Sequence, residues 1–391
     1  MPNIYLSRQP LVNRQSKIIA NRLSLHFSDG ATIKDAALAL NALTEFWPQG
    51  EKLVFINCGT TQCSSALLDW EIPENATLEI QPTALSGSRS VELIAALKAK
   101  NPSLCLVFSG DTEAALGTGI SFRFIGFDAQ NLSPSELKSL AIKTQPHGIG
   151  MAFNVFDAQS FQACLEAGVS AAASWFFKHP TNAPAKALNP GQTQIIRVLN
   201  LVRKNADIKD IETALKQDVA LSYKLLRYIN SAGFGLSCEI QSFRHAVTIL
   251  GYDKLNKWLS LLLATASKDP MAPALMHTAL TRAHLMETLA HGLVDAQEYD
   301  NLFITGAFSM LDALLGVSMD KVLESMHLPE AICDALLGRG GVYAAFLDLA
   351  KVSEGEDGKA LAEQVSMLGL SADQFNRAQM QALVFADKME L

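Results

Sequence analysis

The sequence predicts a trimmed TIM-like (β/α) barrel with an antiparallel first strand pair, followed by an all-helical half. Three observations carry this. Short β-branched and aromatic runs alternate with amphipathic stretches through residues 1–180. The connection "RQPLVNRQSK" between the first two runs is too short and too polar for a crossover helix, so that pair must be a hairpin. Beyond a Pro-rich stretch at 181–191, alternation stops and helical spacing takes over.

The expected strands are "IYLS" (4–7), "IIANRLSLHF" (18–27), "KLVFIN" (52–57), "TLEI" (77–80), "LCLVF" (104–108), "SFRFIGF" (121–127), "GIGMAF" (148–153) and "AASWFF" (172–177). Amphipathic segments such as "TIKDAALALNALTEF" and "SRSVELIAALKAK" lie between them and imply βαβ units. A complete barrel of this class takes ~250 residues, so some elements here must be shortened. "GDTEAALGTG" (110–119) lacks the Lys-Ser/Thr of a phosphate loop and reads as a turn plus a short helix. The linker "KHPTNAPAKALNPGQ" cannot continue a helix or a central strand. The domains expected are thus 1–180, a linker at 181–191, and a helical domain at 192–391. In the latter, Asp207 and Ser371 suit helix N-caps, Pro329 a first turn, and "GRGG" (338–341) a helix stop.

Of the 391 residues 49% are hydrophobic and 18% charged, which allows packed cores and excludes a disordered chain. A net charge of −7 with no basic footprint argues against nucleic-acid binding. No apolar run approaches a membrane span, and the N-terminus lacks the order of a signal peptide. Cys58, Cys63, Cys105, Cys164, Cys238 and Cys333 are scattered without a CxxC, as expected of reduced, mostly buried thiols in a cytoplasmic protein.

Chemistry is sparse. No His-Asp doublet occurs. His277, His284 and His291 fall near one helix face, but single-helix zinc sites use i, i+4 spacing, so separate structural roles are the better reading. Asn57 and Glu79 end or sit in barrel strands, where active sites of such barrels lie. Two such ligands alone are too few for two-metal phosphodiester hydrolysis. No cofactor and no metal are expected.

At this point the segments resemble known families. "QDVALSYKLLRYINSAGFGLSCEIQSFRHAVTILGYDKLNKWLSLLL" (217–263) resembles the HDOD domain, with Asn230, Ser231, Ser242, Leu250 and Gly251 at its motif positions. Asn230 and Ser231 equally suit a helix end, and Gly251 a tight turn. The first half resembles the EAL domain, the barrel that hydrolyses cyclic di-GMP. "RQPLVN" keeps Gln9, "FIN" keeps Asn57, "LEI" keeps Glu79, and "ASWFFKHP" keeps Trp175, Phe176, Phe177 and Pro180. The family's reactive positions are replaced. The name-giving Glu falls on Asn21 and the Arg of that motif on Leu25. The second acid of the fourth strand falls on Pro82, and the paired aspartates fall in "LVFSG", with Asp111 out of register. The Lys falls on Gly126, although Asp128 remains, and two further acids fall on Phe153 and Phe156.

The resemblance implies a bacterial EAL-HDOD signalling protein whose barrel no longer cuts. It would act as a regulatory module through a protein partner. The alternative is a cyclic di-GMP or other nucleotide receptor that uses Gln9, Asn57 and Glu79 without hydrolysis.

Overall fold

A computed structural model describes residues 3–59, 63–87, 90–109, 112–178, 188, 190–216, 242–265 and 270–389. Eight strands close into a barrel in sequence order: β1 (Ile4–Asn13), β2 (Ile18–Phe27), β3 (Leu53–Asn57), β4 (Ala76–Ile80), β5 (Ser103–Val107), β6 (Phe124–Asp128), β7 (Ile149–Val155) and β8 (Ala171–Ser174). β1 runs antiparallel to β2 and to β8, and the other neighbours are parallel. The hairpin forms because its connection has no length for a crossover.

The crossovers that remain are short, as expected. Among the described residues the β3–β4 link contains only a 3-10 turn, Ser65–Asp69. Helices α1 (Ile33–Asn41), α2 (Ser90–Lys100), α3 (Thr112–Leu116), α4 (Pro134–Thr144) and α5 (Ala158–Glu166) supply the rest. α1 and α4 start on capping boxes, Thr32 with Asp35 and Ser133 with Glu136, and each box satisfies otherwise orphaned backbone donors. Inside the barrel, Leu11, Ala20, Phe55, Cys105, Phe124, Met151, Phe153, Ala171 and Ala173 form one core. Bulky rings on three strands face alanines on β8, which fills the taper. Phe55 meets Phe124 edge-on at 5.1 Å.

The compact division differs from the expected domains at the C-terminus. One unit comprises Met1–Phe177 with Lys351–Met380, and the other Lys178–Ala350 with Gln381–Leu391. The reason lies in β1. It pairs with β8 only over Leu11–Asn13, which leaves residues 4–8 without a ladder on that side. Residues 351–380 supply the missing bonds. Arg8 N donates to Ser353 O at 2.9 Å. Leu6 N donates to Asn376 Oδ1 at 3.0 Å, and Asn376 Nδ2 donates to Ile4 O at 2.8 Å. Gln379 Nε2 donates to Leu6 O at 3.0 Å. Buried backbone groups require such partners, and sequence periodicity cannot show that they come from so far along the chain.

The second unit is helical. Its elements are α6 (Pro190–Arg203), α7 (Ile208–Lys216), α8 (Phe243–Thr265), α9 (Ala272–Ala290), α10 (Tyr299–Phe308), α11 (Leu311–Leu315), α12 (Met319–Glu324), α13 (Glu330–Leu336) and most of α14 (Val342–Val352). α15 (Gly358–Met367) belongs to the barrel unit, and α16 (Ala372–Lys388) is divided between the two. Pro190 opens α6, so the last two residues of the expected linker are helical, as a first-turn proline allows. Pro329 sits one residue earlier than expected, at the N-cap of α13. Asp207 and Ser371 do cap their helices. Gly338, at φ 69°, ends α13.

Ser242 Oγ accepts from His245 N at 3.2 Å and starts α8, and Gly251 breaks that helix at φ 73°, ψ 173°. Asn230 and Ser231 lie outside the described residues, as do Cys238, Pro180 and Asp111. Cys58, Cys63, Cys105 and Cys164 are buried free thiols.

α9 and α10 approach closely at Gly306, where an added Cβ would lie 2.6 Å from Ala283 N and Cα. Gly306→Ala is therefore expected to lower stability by about 1–3 kcal/mol through overpacking, measurable as a shifted urea midpoint at unchanged slope.

Candidate functional site

Strand parity decides which residues of β2 reach the barrel interior. Ala20 is in the interior core, so Arg22, Ser24 and His26 share its face. Their partners agree: Arg22 Nη1 donates to Gln9 Oε1 at 3.4 Å, Asn57 Nδ2 donates to Ser24 Oγ at 3.1 Å, and His26 Nε2 lies 2.7 Å from Ser7 Oγ. Asn21 and Leu25 face the other way. Asn21 accepts from Arg8 Nη1 at 3.2 Å. The β2 side chains that face the interior are therefore Arg22 and His26 rather than Asn21 and Leu25.

Arg22 is the centre of the site. Its Nε donates to Glu79 Oε1 at 2.7 Å and its Nη2 to Glu79 Oε2 at 2.9 Å, a two-point ion pair with both side chains buried. Burial alone would lower the Arg22 pKa, but the Glu79 carboxylate outweighs it and holds the guanidinium above its ordinary value. The Phe153 ring packs 4.5 Å under the Arg22 Cζ. Phe153 in turn occupies the volume that a side chain on β6 would need, for a Cβ on Gly126 would lie 2.3 Å from Phe153 Cε2. No lysine fits at Gly126 beside that ring.

The remaining predicted positions separate. Gln9 and Glu79 meet on Arg22. Asn57 is tied to Ser24 and accepts from Gly59 N at 3.0 Å. Pro82 opens a short 3-10 turn and is buried. Asp128 caps the turn after β6, accepting from Gln130 N and Asn131 Nδ2. Phe156 lies outside the interior: it is 65% exposed, because it lies past the end of β7. Arg22 itself was not singled out as a site residue in the sequence. The available signal was a cation in an apolar strand, which requires a buried carboxylate, and Glu79 is the inward one.

An open cleft of about 750 Å³ lies at the C-terminal ends of β2–β4, bordered by Arg22, His26, Asn57, Gln81, Glu356 and Lys359. Glu356 lies 3.9 Å from Arg22 Nη1 and accepts from Ser24 Oγ at 3.5 Å. Burial raises its pKa against the pull of Arg22. Gly358 touches His26 so closely that a Cβ would fall 2.6 Å from the imidazole. Both Glu79 oxygens are committed to Arg22, and among the described residues no three His, Cys, Asp or Glu converge as metal ligands. The donor set does not suit the divalent cations of phosphodiester hydrolysis. In the helical unit the three histidines stand apart: His277 Nε2 lies 2.8 Å from Asp387 Oδ1, His284 stacks on Phe385 at 4.4 Å, and His291 packs on Tyr299 at 4.3 Å. No described helix is long and apolar enough to cross a membrane.

Residues 188–320 match the HDOD domain. The chain thus joins a closed eight-stranded barrel to a helical unit, part of which matches the HDOD domain. It is similar to the cyclic di-GMP phosphodiesterase CdgJ of Vibrio cholerae, 29% identical over 214 residues, 54% of this chain and 50% of CdgJ. The match thus spans half of that relative's length. It is also similar to the uncharacterized protein YuxH of Bacillus subtilis, 23% identical over 373 residues and 90% of each chain. Among solved structures, the Xanthomonas citri FimX EAL domain in complex with c-diGMP matches at 16% identity and a TM-score of 0.33, over 44% of this chain and 85% of that one.

Two measurements check the site. Glu79→Gln strands a buried guanidinium and is expected to cost about 3–5 kcal/mol in urea denaturation, whereas Arg22→Met with Glu79→Leu recovers most of that loss. Burial depresses the His26 pKa below 6.5, with Asp357 opposing. The unfolded chain then takes up the proton first, so stability falls as pH drops below about 6.5. His26→Gln is expected to flatten that slope, and an NMR titration of His26 should give a midpoint below 6.5.

Proposed function

We propose that this chain is a catalytically inactive signal-transduction protein that regulates by docking a protein partner. One observation carries the reading: on β2 a guanidinium, not a carboxylate, faces Glu79 and neutralises it. Two-metal hydrolysis needs several carboxylates free to bind cations, a base for the water and a cation at the leaving group. Here the Lys position is Gly126, sterically closed by Phe153, and the acid positions of β5 are apolar. The barrel retains its packing, and an exposed aromatic, Phe156, stands at the rim where the family carries an acid.

The cleft beside Arg22 favours one alternative, a receptor that holds cyclic di-GMP or another nucleotide uncut through Gln9, Asn57 and Glu79. The name of CdgJ supports a cyclic di-GMP-linked setting, and half of CdgJ lies outside the match.

The full chain with cyclic di-GMP and Mg²⁺ or Mn²⁺ is expected to give no linear product. Metal-dependent turnover that disappears in Glu79→Ala would overturn inactivity. Isothermal titration with cyclic di-GMP separates the two readings, since saturable heat lost in Arg22→Met favours the receptor.

A further inference from the structure

The helical unit contains a second cleft, of about 500 Å³, bordered by the partly buried Arg203. Arg203 ends α6. Its Nε donates to Asn256 Oδ1 at 2.8 Å, and its Cζ lies 5.5 Å from the Phe308 ring. Nη1 and Nη2 are shielded from water and, among the described residues, have no hydrogen-bond partner. Burial lowers the Arg203 pKa to about 9, with the Cys333 thiol opposing. A buried cation left in this condition is costly unless an anion joins it.

The free edge has a defined chemistry. An arginine fork has five donors, and Nε is already committed. The Nη1/Nη2 edge is left, and it matches the two oxygens of one carboxylate or phosphate. Beside it, Asn205 and His327 offer polar contacts, while Ile304 and Ile332 offer an apolar wall. The volume lies within the range of small-molecule sites and exceeds what a bare ion needs. Asp253 also borders the cleft, so a second anionic group on the ligand would be repelled.

We propose that this cleft binds a small organic acid whose single anionic head seats end-on against Arg203 Nη1 and Nη2 and whose apolar body lies on Ile304 and Ile332. Because both Nη atoms are shielded, the head enters through a local opening of the wall, and association is slower than diffusion.

The test is isothermal titration of the full chain with phenyl phosphate and with benzoate, which share the ring and differ in the head. One saturable site for either supports the proposal and identifies the head. Arg203→Lys keeps the charge and loses the fork, and should weaken binding at least tenfold. Asn256→Asp guards against a variant that fails to fold. It supplies an internal carboxylate to Arg203, so it should raise the melting temperature while weakening binding at least tenfold. Absence of saturable heat with both probes overturns the proposal, as does affinity unchanged in Asn256→Asp.

Discussion

The interior of the barrel is organised by the charge pair between Arg22 and Glu79. Two charges removed from water are tolerated only when their geometry is good and their remaining polar atoms are satisfied. Here the fork meets both carboxylate oxygens, and Gln9 accepts from the third guanidinium nitrogen. Everything nearby conforms to that pair. Phe153 presents its face to the cation, and β6 has glycine where that ring lies. Cys105, close to the pair, has its thiol pushed well above the ordinary range by burial and by the Glu79 charge. A single arginine thus accounts for the buried acid, the ring beside it and the glycine on β6 together.

This explains why replacements that look independent along the chain are coupled in space. On the inactive reading proposed above, one substitution at a time would not build a reactive site. A lysine at Gly126 meets Phe153, and an acid at position 22 meets Glu79 as a like charge in a dry interior. The retained Glu79 is therefore poor evidence of retained chemistry, because its oxygens serve the guanidinium.

Much of the architecture was legible in the sequence because barrel strands and amphipathic helices have different periods, and because a short connection forces a hairpin. The face of β2 was not legible. Nearly every residue from Ile18 to Leu25 is buried, on the inner side by the barrel core and on the outer side by packed chain, so alternation of polarity is lost. The register then slid by one residue, which turns every side chain to the other face and exchanged Arg22 for Asn21. Phe156 is hard to place from sequence for a related reason: hydrophobicity alone does not tell a strand interior from the residue just beyond its end. The role of Asn376 and Gln379 was out of reach, since nothing local marks a side chain whose bonds serve a strand 370 or more residues earlier.

That distant pairing has a consequence for biosynthesis. During synthesis β1 leaves the ribosome some 370 residues ahead of Asn376. Until then the open side of β1 has amide and carbonyl groups that water or another chain must satisfy. The nascent barrel thus has a partner-seeking edge throughout that interval, with most of the helical unit emerging in between. Selection on the order of translation, on its pace and on chaperone capture therefore bears on this fold as directly as selection on its core.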